Sequence, residues 1–253
     1  MNEEQIRKMV REGYAQRAKT GTSCCGSSSP CGCGPTVDDV SRGVGYSEAD
    51  LQAVPDGANL GLGCGNPVAL ASLKQGETVL DLGSGPGLDC FLAAQRVGPT
   101  GRVIGVDMTP EMLERARANA RKGGYDNVEF RLGEIEHLPV ADSSVDAIIS
   151  NCVINLSPDK PAVFREALRA LRPGGRLMVS DIVLLRELPD TVRKSLEAYV
   201  ECVAGASLKD EYLDAIQAAG FQDVRVIDET TYAADERLGI HAASVKVEAR
   251  KVK

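Results

Sequence analysis

The feature that most constrains the fold of this 253-residue chain is a series of five short apolar runs that begins at Thr78. These runs are TVLDL, RVIGVD, NVEFR, VDAIIS and RLMVSD, and polar-apolar segments of helical length separate them. Alternating strands and helices predict a parallel sheet with helices on both faces. Two further runs, VRVIDET and SVKVEARK, follow a helical stretch expected at about 190–219. The sequence therefore predicts a doubly wound α/β fold with a mostly parallel seven-stranded sheet.

A glycine-rich turn, Gly83–Gly87, follows the first strand and precedes a helix that we expect to begin near Leu88. Glycines let the backbone turn sharply and let a ligand approach main-chain N–H groups at a helix N-terminus. The spacing is GxGxG, and the carboxylate of Asp89 in the first helical turn disfavours phosphate. Asp107 ends the second strand, where it can accept both hydroxyls of a ribose. The expected ligand is a nucleoside without phosphates.

The eight cysteines are unevenly distributed, and four of them lie in the Gly/Ser-rich stretch 21–36, which we expect to be mobile. This distribution favours metal, metalloid or redox chemistry over a static disulfide framework. Cys152 directly follows the fourth strand, and Cys202 lies in the helical stretch after the fifth. Ligands bind at the carboxyl ends of parallel strands, so both thiols can reach one. Cys64 is flanked by glycines, and we expect its thiol to be exposed and reactive.

The remaining candidates have simpler interpretations. Cys90, inside LDCFLAAQ, is assigned to the core. Asn151 has the better position for contacting a cofactor, whereas Asn155, Asp159 and Lys160 are interpreted as loop and cap residues. Thr109 and Pro110 predict the N-cap and first turn of the helix EMLERARANARK.

Charge and composition exclude several classes of partner. The net charge is −7 without long blocks of one sign, so nucleic acid and anionic lipid are not expected partners. The amphipathic N-terminal stretch lacks the apolar core of a secretion signal, and no run is long enough to cross a membrane, so we expect a cytoplasmic protein. Two histidines leave little material for zinc hydrolase chemistry.

Over about residues 70–250 the chain resembles the class I S-adenosylmethionine methyltransferases. The acidic residue Asp81, the glycine turn, Asp107 and the five spaced strands carry this resemblance. It implies that Asp81 and the turn face the methionine portion, Asp107 the ribose, and Met108 the adenosine. In LGEIEHLP it places Ile135 on the adenine ring and Glu136 near its exocyclic nitrogen. The implied S-adenosyl-L-methionine site, with the neighbouring Asn151, consists of Asp81, Gly83, Ser84, Gly85, Gly87, Asp107, Met108, Ile135, Glu136 and Asn151.

The segments GANLGLGCGNP, SNCVINLSPDK and YVECVAGA are similar to the three cysteine segments of arsenite methyltransferases, and SCC at 23–25 is similar to their N-terminal cysteine segment. This resemblance implies methylation of trivalent arsenic, arsenite and methylarsenite, for detoxification. It makes Cys152 and Cys202 the arsenic ligands, with Cys64 as a further one. Cys64 would pair with Cys24 or Cys25 in redox turnover or transient arsenic binding.

The same resemblance implies arsenite or its glutathione conjugate as substrate, and thioredoxin or glutathione as reductant. We divide the chain into 1–69, with a helix, the cysteine-rich segment and a substrate-site loop, and a methyltransferase domain at 70–253 with a helical cover at about 186–220. The family often has an additional C-terminal domain, which we do not expect here. Two alternatives stay open: a small-molecule C- or O-methyltransferase with structural cysteines, and a non-catalytic metalloid-binding protein.

Overall fold

The computed structural model describes residues 2–21, 36–189, 192, 199, 202–235 and 240–252. The helices in this part of the chain are α1 Glu3–Thr20, α2 Val37–Gly43, α3 Glu48–Gln52, α4 Pro67–Leu70, α5 Leu88–Val97, α6 Pro110–Gly123, α7 Lys160–Ala170 and α8 Lys209–Ala218, with a 3₁₀ turn at Ile154–Leu156. The strands are β1 Thr78–Leu82, β2 Arg102–Asp107, β3 Val128–Leu132, β4 Val145–Asn151, β5 Leu171–Leu184, β6 Gln222–Asp235 and β7 Ile240–Arg250.

The seven strands form a single sheet in the order β3-β2-β1-β4-β5-β7-β6. Strands β1 to β5 pair in parallel, and β7 lies antiparallel between β5 and β6. The chain order reverses between β1 and β4, and ligands bind beyond the carboxyl ends of strands at such a point. The predicted doubly wound, mostly parallel sheet is confirmed.

The core explains why the strands are so apolar. Helices cover both faces, so the central strands are buried on both sides and four of the five residues of β1 are fully buried. One cluster packs β4 and β5 against α7 and α8, and a second packs β1 and β2 against α5 and α6. The aromatic rings of Phe164 and Tyr212 meet edge to face between α7 and α8, with their centroids 5.4 Å apart.

The N-terminal helix α1 is tied to this body. A capping box at Asn2 and Gln5 begins it, and Gly21 with φ of 70° ends it. The helix packs on α6, where Lys19 pairs with Glu111 and Arg115 donates to the carbonyl of Ala18. No helix among the described residues combines the length and the apolar character needed to span a bilayer.

One local expectation was confirmed and one was wrong. Helix α6 begins at Pro110 with Thr109 as its N-cap residue, as predicted, although the Thr109 side chain makes no capping hydrogen bond. The stretch 190–219 is not one helix: residues 202–208 form turns, and Leu208 pairs with Leu184 of β5. At Cys202 the backbone has a φ of 69°, which a right-handed helix does not contain.

Candidate active site

A cavity of about 1070 Å³, which includes the solvent at its mouth, opens beyond the carboxyl ends of β1, β2 and β4. It lies at the reversal of strand order, and the helix α1 contributes Arg7, Val10 and Tyr14 to its wall. All sequence-predicted cofactor residues except Gly87 line it: Asp81, Gly83, Ser84, Gly85, Asp107, Met108, Ile135, Glu136 and Asn151. This position is the one expected for the fold, since ligand sites of open α/β sheets lie beyond the carboxyl ends of the strands where the strand order reverses.

The glycine turn fits the wall of this cavity closely. Gly83 has a φ of 67°, and a Cβ there would lie 2.4 Å from Cγ2 of Val153. Gly85 has a φ of 51° and faces open space, so the backbone is accessible to a ligand. Gly87 lies outside the lining, where its lack of a side chain leaves room for the ring of Phe91. Among the described residues the buried hydroxyl of Ser84 has no hydrogen-bond partner, which leaves it for a ligand.

Three buried carboxyl groups give the cavity its electrostatic character. Asp81, Asp89 and Asp107 line it, and no lysine or arginine of the described chain forms an ion pair with them. Burial raises the pKa of Asp81 well above its usual range and that of Asp89 to about 6, and it also raises the pKa of Asp107. Burial thus disfavours the ionised carboxylates when no cation is near, and a cationic group bound beside them favours their ionised forms. S-adenosylmethionine carries two such groups, an ammonium and a sulfonium.

The opposite wall has the residues expected around adenine. Met108 and Ile135 supply apolar surface, and Glu136 is buried beside them. Glu136 accepts a hydrogen bond of 2.6 Å from Ser157 and forms an ion pair of 3.4 Å with Arg7 of α1. The helix α1 is thus anchored to the wall by charge as well as by packing.

Three cysteines converge beside this cavity. Cys152 lines it directly, its sulfur lies within 4.8 Å of the Cys64 sulfur, and the Cys202 thiol donates to the carbonyl of Cys152 at 3.6 Å. All three are 4 or 5% exposed and lie in an apolar cluster that includes Val10 and Ile182. The structure therefore brings together residues that are up to 138 positions apart in the sequence, the difference between 202 and 64.

The two cysteines at the centre have unusual backbone conformations. Cys152 and Cys202 have φ values of 58° and 69°, in the left-handed region that L-residues seldom adopt. Main-chain bonds hold them there, from the amide of Cys152 to the carbonyl of Ser180 and from that of Cys202 to Tyr199. Such strain of about 1–3 kcal/mol per residue clusters at functional sites.

The expectation of an exposed Cys64 was wrong. Gly63 and Gly65 are needed for close packing: a Cβ on Gly65 would meet the hydroxyl of Ser180 at 1.9 Å, and one on Gly63 would meet the amide of Asn151 at 2.6 Å. The Cys64 thiol donates to the carbonyl of Ser180 at 3.4 Å. The flanking glycines therefore fix a buried thiol in place.

The thiols differ in how readily they ionise. The interaction between Cys152 and Cys202 lowers the pKa of Cys202 and raises that of Cys152, so of these two thiols Cys202 ionises more readily. Burial opposes the lowering at Cys202, whereas Tyr14 and Asn155 support it. The Tyr14 hydroxyl lies 3.8 Å from the Cys202 sulfur.

Sequence reasoning missed several residues of this site. Asn155, interpreted as a loop residue, is fully buried and donates to the carbonyl of Cys202 at 3.1 Å. Tyr14 and Tyr46 received no role, although both line the cavity. The signals were modest: Tyr14 lies four residues after the buried Val10 on the apolar side of α1, and Asn155 lies three after Cys152.

Asp181 of β5 is a further buried group that the sequence did not indicate. Its carboxylate and the sulfurs of Cys64 and Cys152 lie within 4.8 Å of one another. Burial raises its pKa to about 7, and Asn155, Ile182 and Tyr212 donate to it.

Other candidates have the places expected from the sequence or fall outside the description. Cys90 is buried in the core, where it also donates to Asp81 at 3.1 Å. Asp159 caps α7, and Lys160 donates to the carbonyls of Ser157 and Gly205. The N-terminal cysteines lie outside the described residues: Cys24, Cys25, Cys31 and Cys33.

Comparison with known proteins identifies related chains. The profile of a family described as a methyltransferase domain matches residues 73–220. An arsenite methyltransferase of Halobacterium salinarum is 52% identical, over 98% of this chain and 67% of the relative. One of Aquipseudomonas alcaligenes is 41% identical, over 87% of this chain and 63% of the relative. The chain spans about two thirds of the length of these two relatives.

A solved structure agrees with the sequence relatives. The arsenic(III) S-adenosylmethionine methyltransferase of Chlamydomonas reinhardtii has a TM-score of 0.69 and 37% identity to this chain. The similarity covers 87% of this chain and 75% of that one. Most of this chain thus shares the architecture of that structure.

Proposed function

Because this chain belongs to the family of S-adenosylmethionine-dependent arsenite methyltransferases, we propose that it methylates trivalent arsenic held by its own cysteine thiolates. Cys152 and Cys202 are the proposed ligands, and Cys64 is the third. The observation that carries this proposal is the convergence of the three cysteines at the wall of the cofactor cavity, with the Cys64 sulfur within 4.8 Å of the Cys152 sulfur and the Cys202 thiol bonded to the carbonyl of Cys152.

The cavity fits the cofactor on its own chemistry. Buried carboxyl groups at Asp81 and Asp89 face a ligand with two positive charges, and the unpartnered Ser84 hydroxyl offers a further polar contact. When bound, S-adenosylmethionine supplies an electrophilic methyl group on a sulfonium. Asp107 is the proposed partner of the ribose, and Met108, Ile135 and Glu136 of the adenine.

The thiols suit arsenic because trivalent arsenic is soft and prefers sulfur ligands. Each thiol that binds arsenite replaces one hydroxyl group, which leaves as water with the thiol's proton. The surrounding apolar cluster excludes solvent, and the first thiolate at Cys202 begins the exchange. The arsenic keeps its lone pair, which is the nucleophile, so the chain needs no strong base.

The contribution of the protein is therefore to position arsenic beside the methyl group. Holding two reactants in an attack geometry can supply about 7–11 kcal/mol of the barrier. The backbone conformations of Cys152 and Cys202 and the clamp on Cys64 fix the three sulfurs for this purpose.

Transfer of the methyl group formally oxidises arsenic to the pentavalent state. Two cysteine thiolates return it to the trivalent state by forming a disulfide, and both electrons come from sulfur. We propose Cys64 with Cys24 or Cys25 for this step. A thiol reductant such as thioredoxin or glutathione then reopens the disulfide by exchange.

The test is arsenic speciation after incubation of the reduced protein with arsenite, S-adenosylmethionine and thioredoxin, beside Cys152→Ser. Methylated arsenicals from the parent and none from the variant support the proposal. Calorimetric binding of S-adenosylhomocysteine to both proteins controls for folding. Arsenic that binds without ever being methylated would show a sequestering protein, and arsenite-independent transfer to an organic acceptor would show a different methyltransferase.

A further inference from the structure

One side chain, Asn151 at the end of β4, contacts both halves of the site. Its Oδ1 accepts from the amide of Cys64 at 3.0 Å, and its Nδ2 donates to the carbonyl of Gly65 at 2.8 Å. The same Nδ2 donates to the carboxylate of Asp89 at 3.0 Å and to the hydroxyl of Tyr46 at 2.7 Å. We propose that Asn151 is a positioning residue that couples occupancy of the cofactor cavity to the placement of the Cys64 thiol.

On the cysteine side, the hydrogen bonds of Asn151 are made with the main chain around Cys64. Two hydrogen bonds of Asn151 bracket this residue, and Gly63 lies so close that a Cβ there would be 2.6 Å from Nδ2. From the other side Ser244 donates to the carbonyl of Cys64 at 2.7 Å. Among the described residues, the main chain of Cys64 therefore has two independent supports, and of these the one from Asn151 reaches the cavity.

On the cofactor side, Asp89 and Tyr46 both line the cavity, whereas Cys64 does not. Tyr46 donates to the other oxygen of Asp89 at 2.7 Å, so the three side chains form a closed triangle of hydrogen bonds. The Asp89 carboxyl is buried, and it forms no ion pair with a lysine or arginine among the described residues. A cationic ligand favours its ionised form, and charged acceptors form stronger hydrogen bonds.

The side-chain amide of Asn151 transmits a stronger hydrogen bond at Asp89 to the main chain of Cys64. Nδ2 has two hydrogens and three acceptors, which are Asp89, Tyr46 and the carbonyl of Gly65. Its hydrogens are therefore shared, and a stronger bond to Asp89 draws the whole amide toward the cavity. Because Oδ1 belongs to the same rigid group, the amide of Cys64 moves with it.

The inference rests on the proposed function, because it assigns Cys64 to arsenic and the cavity to S-adenosylmethionine. Coupling of this kind is reciprocal in the binding free energies. S-adenosylhomocysteine should therefore change the environment of Cys64, and arsenite should tighten the binding of S-adenosylhomocysteine.

The experiment measures N-ethylmaleimide alkylation of the full chain, cysteine by cysteine, by peptide mass spectrometry with and without S-adenosylhomocysteine. We expect the ligand to slow alkylation of Cys64 by about fivefold or more, the lower range of typical coupling. In Asn151→Asp, which keeps the acceptor for the Cys64 amide and loses the donor, this dependence should disappear. Cys152 lines the cavity and is covered directly by the ligand, so its protection should persist in the variant.

A matched control separates coupling from loss of support. Ser244→Ala removes the other hydrogen bond to Cys64 and should speed its alkylation equally with and without ligand. The proposal is overturned if S-adenosylhomocysteine still slows alkylation of Cys64 in Asn151→Asp. It is also overturned if, in the parent, the ligand protects Cys152 but leaves the alkylation rate of Cys64 unchanged. Neither result depends on arsenic methylation, so failure of the proposed function is seen separately in the speciation assay.

Discussion

The cofactor side and the cysteine side of the site are built in opposite ways. On the cofactor side, a single stretch from β1 through the glycine turn to α5 supplies Asp81, the turn and Asp89. On the cysteine side, the thiols come from a loop before β1, the end of β4 and a turn after β5, and Tyr14 comes from α1. The first side depends on local backbone geometry, and the second depends on the entire tertiary structure.

The largest expected effect is a loss of methylation that leaves cofactor-site binding intact. Replacing Cys202 with serine should abolish arsenite methylation, because a hydroxyl does not form the sulfur–arsenic bond. Binding of S-adenosylhomocysteine, measured by calorimetry, should stay within about twofold, an order-of-magnitude expectation for a residue outside the cavity lining. Full methylation activity in this variant would show that Cys202 is not a ligand.

A pair of glycine substitutions tests whether the cysteine side and the cofactor side can be damaged separately. Gly65→Ala places a Cβ 1.9 Å from the Ser180 hydroxyl, and Gly83→Ala places one 2.4 Å from Val153 at a positive φ. We expect the first to lose methylation while it still binds S-adenosylhomocysteine, and the second to lose binding of that ligand. Each should lower stability by about 1–3 kcal/mol, measured by urea unfolding.

Gly43→Ala is the matched control for Gly65→Ala, since a Cβ at Gly43 meets nothing within 4 Å and neither glycine has a positive φ. It should leave stability, ligand binding and methylation at the parent values. Equal loss of ligand binding in the Gly65 and Gly83 variants would break the distinction between the two sides.

A smaller effect is expected at Tyr14, whose hydroxyl contacts the Cys202 sulfur. Hydrogen bonds to charged groups contribute about 1.5 kcal/mol or more, so Tyr14→Phe should raise the pKa of Cys202 and slow its alkylation near neutral pH by about tenfold. Tyr199→Phe is the control, because that buried hydroxyl donates to the carbonyl of Leu156. A change of equal size in the two variants would argue against a specific role for Tyr14.

The smallest effect concerns the acidic side of the cavity. Burial raises the pKa of Asp89 to about 6, so this carboxyl takes up a proton as the pH falls through that value and loses its negative charge. Affinity for S-adenosylhomocysteine, whose ammonium group carries a positive charge, should fall by about tenfold from about pH 7 to about pH 5 in calorimetric titrations. Asp89→Asn should bind more weakly at neutral pH and show a smaller pH dependence; an unchanged profile would exclude Asp89 as the titrating group.

The same contrast explains what the sequence could predict. The apolar runs of the strands and the glycine turn are local sequence patterns, so the sequence could predict them. The expected cofactor residues accordingly lie around one cavity. The exposure of Cys64 was predicted wrongly because flanking glycines indicate free space in sequence, whereas here they admit Asn151 and Ser180. No local pattern links Tyr14 or Asn155 to a thiol, since packing of distant elements decides those contacts.

The left-handed backbone at Cys152 and Cys202 has a consequence for how this chain can change over generations. Glycine and asparagine are the residues that this conformation favours, and an ordinary side chain there costs about 1–2 kcal/mol. Replacing either thiol by glycine would relieve this strain but would also remove a buried sulfur from its apolar cluster, so the two effects offset each other. In a lineage with no use for the thiols, these two positions can therefore change with little loss of stability, and activity disappears before the fold does.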